Sequence, residues 1–90
     1  MAAGPMVVNE NPLVNLIGIY PNPSSGQFII QSFGLKVQSF EMYNVLGEKV
    51  YQEIENSYSF ITHCILANGI YFIHLETEKG IVVKKIVIAH

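Results

Sequence analysis

Seven short runs of β-type residues divide this chain, and turn signals part them at intervals of roughly ten residues. The runs are LIGIY, QFIIQS, KVQSFEMY, EKVYQE, SYSFIT, IYFIHLE and IVVKKIVI. No window carries a 3.6-residue apolar period over the length a helix needs. Short strands with this punctuation predict an all-β fold, an immunoglobulin-like antiparallel β-sandwich of about seven strands. Ninety residues make one domain. The single cysteine, Cys64, rules out an internal disulfide, so packing alone must hold the sheets together.

Charge narrows the possible partners. Only 13% of residues are charged, where about 25% is usual, while 50% are hydrophobic. Either an apolar face or sheet edge meets a partner, or apolar residues are scattered singly over the surface. A net charge of -2 and the absence of arginine argue against nucleic acid, which needs a basic footprint. No apolar run approaches the roughly 20 residues of a membrane-spanning helix. The opening MAAGPMVV lacks the positive start and long apolar stretch of a secretory signal. Residues 1–15 carry two prolines and no period. They read as a flexible leader, an upstream linker or a remnant of expression, ahead of a domain at residues 16–90.

The turns are specific. In YPNPSSGQF, Pro23 pre-sets φ for a turn, Asn22 can cap that turn with its side chain, and Gly26 can take positive φ at the exit. Pro21 and Pro23 lack N–H donors, so this corner cannot lie inside a sheet. Gly47 in YNVLGEK and Gly80 in LETEKGIV fit hairpins closed by a turn and a glycine bulge. Leu66, Gly69 and Tyr71 are spaced as in a tyrosine corner, which predicts a bond from the Tyr71 hydroxyl to backbone near Leu66. The plainer reading of Tyr71 is an ordinary aromatic strand residue.

Catalysis finds little support. There is no aspartate, and the seven acidic residues, all glutamates, fall mostly at turn-like or alternating polar positions. Cys64 and its neighbour His63 point to opposite faces of a strand. His63, Cys64, His74 and His90 lack the spacings of zinc sites. The glycines are isolated and form no phosphate-binding loop. No catalytic residue, metal site or cofactor follows, and a protein partner remains. The closing run IVVKKIVIAH suits that role best. Val82, Lys84, Ile86 and Ile88 share one face and Val83, Lys85 and Val87 the other, so both faces are apolar and both carry a lysine. Such a strand is central with its lysines snorkelling out, or its second face awaits a partner. The lysines also guard an edge against aggregation.

Four segments in order, YPNPSSGQF, MYNVLGEKV, LANGIYFIHL and IVVKKIVI, resemble the C-terminal sorting domain of the type IX secretion system. Each motif alone is weak; their order and spacing are specific. By this resemblance the corner motif is Pro21, Asn22, Pro23 and Gly26, and the hairpin motif is Tyr43, Asn44 and Gly47. Gly69, Ile70 and Tyr71 form the third motif, and Lys84, Lys85, Ile86, Val87 and Ile88 the terminal recognition signal. The resemblance implies an address rather than an enzyme. Cargo on the same precursor would cross the periplasm and meet an outer-membrane translocon. A sortase-like cysteine protease would cut upstream of the corner, leaving cargo on the cell surface or secreted. A stiff corner would hold the domain docked while the protease reads an extended leader. The apolar surface is also compatible with a homodimer. The alternative is a structural or adhesive β-sandwich module that stays on a larger surface protein.

Overall fold

A computed structural model of the chain describes residues 12–90; the first eleven residues of the expected leader lie outside the described residues. A 3-10 turn at Pro12–Leu16 comes first. Leu13 and Val14 of this turn pack against the core, as their apolar character favours.

Seven strands follow: β1 (Ile17–Tyr20), β2 (Gln27–Ser32), β3 (Val37–Tyr43), β4 (Lys49–Ser57), β5 (Ser59–His63), β6 (Gly69–Thr77) and β7 (Gly80–Ile88). Each expected run yields one strand. All pairings are antiparallel, in a three-stranded sheet of order β1-β2-β5 and a four-stranded sheet of order β4-β3-β6-β7. This is the sandwich that the sequence predicts, with the fourth strand beside the third in the larger sheet. β4 runs through Ile54 and Asn56 to Ser57, beyond the expected EKVYQE, because its edge position tolerates the exposed Ile54 and the positive φ of Asn56.

Period-two alternation supplies the core. β2 turns Phe28 and Ile30 inward, β3 gives Phe40 and Met42, and β6 gives Tyr71, Ile73 and Leu75. Phe40 stacks on Phe60 of the facing sheet at 5.8 Å. Leu35, in the loop between β2 and β3, is also fully buried. At that loop Ser32 Oγ donates to the Leu35 carbonyl.

β7 is an edge strand of the larger sheet, so the central position considered from its sequence does not hold. Its core face is Val82, Ile86 and Ile88, each at most 1% exposed. Lys84 shares that face and is half-buried, with Nζ reaching out to donate to the Val14 carbonyl at 3.1 Å. A cation beside an apolar core is tolerated in this way because the stem packs while the head finds an acceptor. On the other face Ile81 and Val83 are exposed, Val87 is half-buried and Lys85 points to solvent.

Candidate functional site

The corner at residues 21–26 lies against the outer edge of β7. The peptide bonds Tyr20–Pro21 and Asn22–Pro23 are both cis. Asn22 does not cap its own turn. Its Nδ2 donates to the Lys85 carbonyl at 3.0 Å, and its Oδ1 accepts from the Val87 N–H at 3.0 Å. A primary amide has one donor and one acceptor side by side, so it stands in for a peptide unit of a missing strand. Ser24 completes the contact with its main chain. Its N–H donates to the Val87 carbonyl at 2.8 Å, and its carbonyl accepts from the Ala89 N–H at 2.8 Å. Ser24 and Ile88 thereby form an isolated parallel bridge, and both side chains are buried.

Local bonds shape the corner for this contact. Ser24 Oγ accepts from the Gly26 N–H at 3.0 Å and donates to the Gln27 carbonyl at 2.8 Å. Gly26 has φ +120°, and its carbonyl accepts from the Cys64 N–H at 2.9 Å. A Cβ at Gly26 would sit 2.7 Å from the Cys64 carbonyl oxygen. Glycine is thus required there for both conformation and space. Cys64 itself is buried, and desolvation pushes its thiol pKa up, which marks it as packing rather than a nucleophile.

Apart from Gly80, the turn and corner motif residues gather at the same end of the sandwich. Tyr43 pairs with Phe72, and Gly69 pairs with Ile88, so the end of β3, the start of β6 and the end of β7 lie together. Asn44 organises the turn between β3 and β4. Its Oδ1 accepts from the N–H groups of Leu46 and Glu48, at 2.9 and 3.0 Å, and Gly47 takes φ +85°. Tyr71 donates to the Ala67 carbonyl at 2.7 Å, the expected corner bond, one residue along from Leu66. Leu66 is half-buried against the core, and its carbonyl lies 2.8 Å from His90 Nε2. Gly80, φ +123°, closes the turn between β6 and β7 at the opposite end.

The start of β1 lies at that opposite end too, and the Pro12–Leu16 turn before it packs back against β7, where the Val14 carbonyl accepts from Lys84. Ile17 pairs with Ser32, and the Phe33 N–H donates to the Leu16 carbonyl at 2.8 Å. The corner is therefore separated in sequence from the leader by the whole of β1, and its own contact is with β7.

The outer face of the larger sheet carries a mixed patch. Cross-strand pairs Ile70–Val87 and Phe72–Lys85 lie near the motif end, with Val83 beside His74 further along. The ring of Tyr43 lies 4.6 Å from that of His74. Tyr43 donates to the Glu41 carboxylate at 2.5 Å, and Lys49 lies 3.3 Å from it. The Tyr43 bond, then Lys49, hold the Glu41 pKa below its ordinary value. Elsewhere exposed apolar residues lie on loops, such as Phe33, Leu46 and Ile65, and on strands, such as Ile54 of β4 and, in the smaller sheet, Tyr20 and Ile61 on either side of half-buried Ile29. Among the described residues no group of three or more potential ligands could hold a metal ion.

Lysines 84 and 85 and the apolar residues after them were legible as a candidate signal from sequence. Ser24 was not, since its role is carried by main-chain atoms that any residue but proline supplies.

Comparison with curated proteins gives no match. The family model of the secretion system C-terminal sorting domain matches residues 18–89. The match takes in the corner, the Asn44 turn, the Tyr71 corner and all of β7. The chain belongs to the family of type IX secretion C-terminal sorting domains.

Proposed function

We propose that this domain is the address of a surface or secreted cargo, read at β7 by the outer-membrane translocon. Cargo and domain are parted afterwards by a sortase-like cysteine protease that cuts upstream of the corner, and the cargo stays on the cell surface or is released. One observation carries the reading. The corner, the Asn44 turn and the Tyr71 motif converge at one end of the sandwich, where the corner grips the terminal strand, and β1 starts from the other end. A receptor holding the motif end thus stands away from the start of β1. The exposed half of β7 offers main-chain groups and a lysine for docking by sheet extension. The domain acts by binding and supplies no catalytic group.

The test is secretion in a bacterium with a type IX system. An exported fluorescent carrier is fused ahead of the chain, alongside a version lacking residues 84–90 and a full-length version with Lys84→Met and Lys85→Gln. The full chain brings the carrier to the surface; the truncated chain leaves it in the periplasm. The lysine variant folds with its melting temperature within a few degrees of the parent and still exports poorly. Periplasmic retention of the intact, folded domain would sink the address reading in favour of an adhesive or spacer module.

A further inference from the structure

The corner satisfies four main-chain groups on the outer edge of β7: the Lys85 carbonyl, both groups of Val87 and the Ala89 N–H. Main-chain groups of alternate residues in a strand point to the same side. The groups of Ile81 and Val83 and the Lys85 N–H therefore face outward beyond the corner. No strand pairs with them among the described residues. The corner caps the edge of β7 over its terminal half; over its first half no strand pairs with it among the described residues, and the Pro12–Leu16 turn packs against β7 with the Val14 carbonyl accepting from Lys84.

The cap is weaker than a strand. Two of its four bonds come from the Asn22 side chain and are exposed to water. Pro21 and Pro23 have no N–H to give, so the corner cannot extend the ladder in either direction. An extended segment of ordinary residues could pair with the whole edge from Ile81 to Ala89. We propose that the corner at residues 21–24 is a removable cap, and that the terminal strand docks by exchanging this cap for an extended strand of its receptor. Exposed, unpaired strand edges invite indiscriminate pairing, and the cap withholds the terminal half from this until a receptor strand has engaged the first half. The proposal rests on β7 being the docking element.

Two measurements test it. The first is amide exchange on the intact 90-residue chain and its Asn22→Asp variant. Aspartate keeps the size of asparagine but turns an acceptor toward the Lys85 carbonyl in place of the donor. The amides of Val87 and Ala89 should exchange at least about tenfold faster in the variant, with Ile73 and Leu75 unchanged. Equal acceleration at all four positions would show the corner to be an inseparable part of the fold and overturn the cap.

The second is secretion with the cap locked. Ser24 and Ile88 are bridge partners, close enough for a disulfide, which needs a Cα separation of about 4.4–6.8 Å. In a Cys64→Ala background, the Ser24→Cys, Ile88→Cys double variant is compared with itself in its cross-linked and dithiothreitol-reduced forms behind the same carrier. The cross-linked chain should remain in the periplasm, and export should recover on reduction. Surface arrival of the cross-linked chain would overturn the exchange while leaving the address intact. Failure of the unmutated chain to reach the surface would remove the address reading itself, and the exchange with it.

Discussion

The side-chain oxygen of Asn22 takes the Val87 N–H at 3.0 Å, and so ties the first turn of the sandwich to its last strand across 65 positions. The same amide reaches back to the Lys85 carbonyl. Two motifs at opposite ends of the family pattern are one physical contact, and substitutions in either should disturb the other.

Gly26 and Gly47 separate two costs of a side chain. At Gly47 the space is open and only φ +85° opposes alanine, a cost of about 1 kcal/mol. At Gly26 the added carbon also meets the Cys64 carbonyl at 2.7 Å, where two strands are already bonded. Gly26→Ala should cost more than about 2 kcal/mol and lower Tm by more than Gly47→Ala does. Equal shifts in thermal melts would refute the close approach.

Tyr71→Phe removes only the hydroxyl that donates to Ala67. The net loss for a hydrogen bond of this kind is about 1 kcal/mol. For a domain of this size that is a fall in Tm of about 4–8 °C. No change would mean that Tyr71 acts through its ring alone.

Thr62 faces the core from β5 at 1% exposure, and its Oγ1 has no hydrogen-bond partner among the described residues. Valine has the same shape without the orphan group, whose burial costs about 1–3 kcal/mol. Thr62→Val should therefore raise Tm. A lower Tm would reveal a partner for the hydroxyl in solution, such as an internal water.

Lys84 and Lys85 are adjacent but not equivalent. Lys84→Ala strips a packed stem and the bond to the Val14 carbonyl, at a cost of about 1 kcal/mol. Lys85→Ala touches an exposed side chain and should change stability by less than about 0.5 kcal/mol. Chemical denaturation of the two single variants checks the order.

Glu41 carries a pH signature. The Tyr43 hydroxyl and then Lys49 stabilise its charged form, so its folded pKa is depressed. The interaction favours the folded chain above the ordinary glutamate pKa and is lost as pH falls through the lowered value. A carboxyl titration by NMR should place Glu41 below the ordinary glutamate value. Tyr43→Phe should move it upward; an unmoved midpoint would assign the shift to Lys49 instead.

Local pattern was enough for all seven strands, because alternation and turn residues act within a few positions. It also located the Tyr71 bond to within one residue, since the acceptor lies four positions upstream. It failed where partners are distant. Asn22 reads as a turn cap from its neighbours, yet a strand more than sixty positions away takes both its bonds. Leu35 sits outside every run and is nonetheless core, because the loop after β2 folds inward with the Ser32 hydroxyl on its carbonyl. The two faces of β7 became intelligible only once its place at a sheet edge was known.

Sequence separation is also time. A growing chain makes the corner early, and that corner has nothing to grip until residues 85–89 have left the ribosome. The contact closes one of the longest loops available to a chain of 90 residues, and loops of that span are slow to form. A polypeptide cut short inside β7 would therefore carry an early turn with its hydrogen bonds unmade. The corner thus completes its hydrogen bonds only once the last strand is in place.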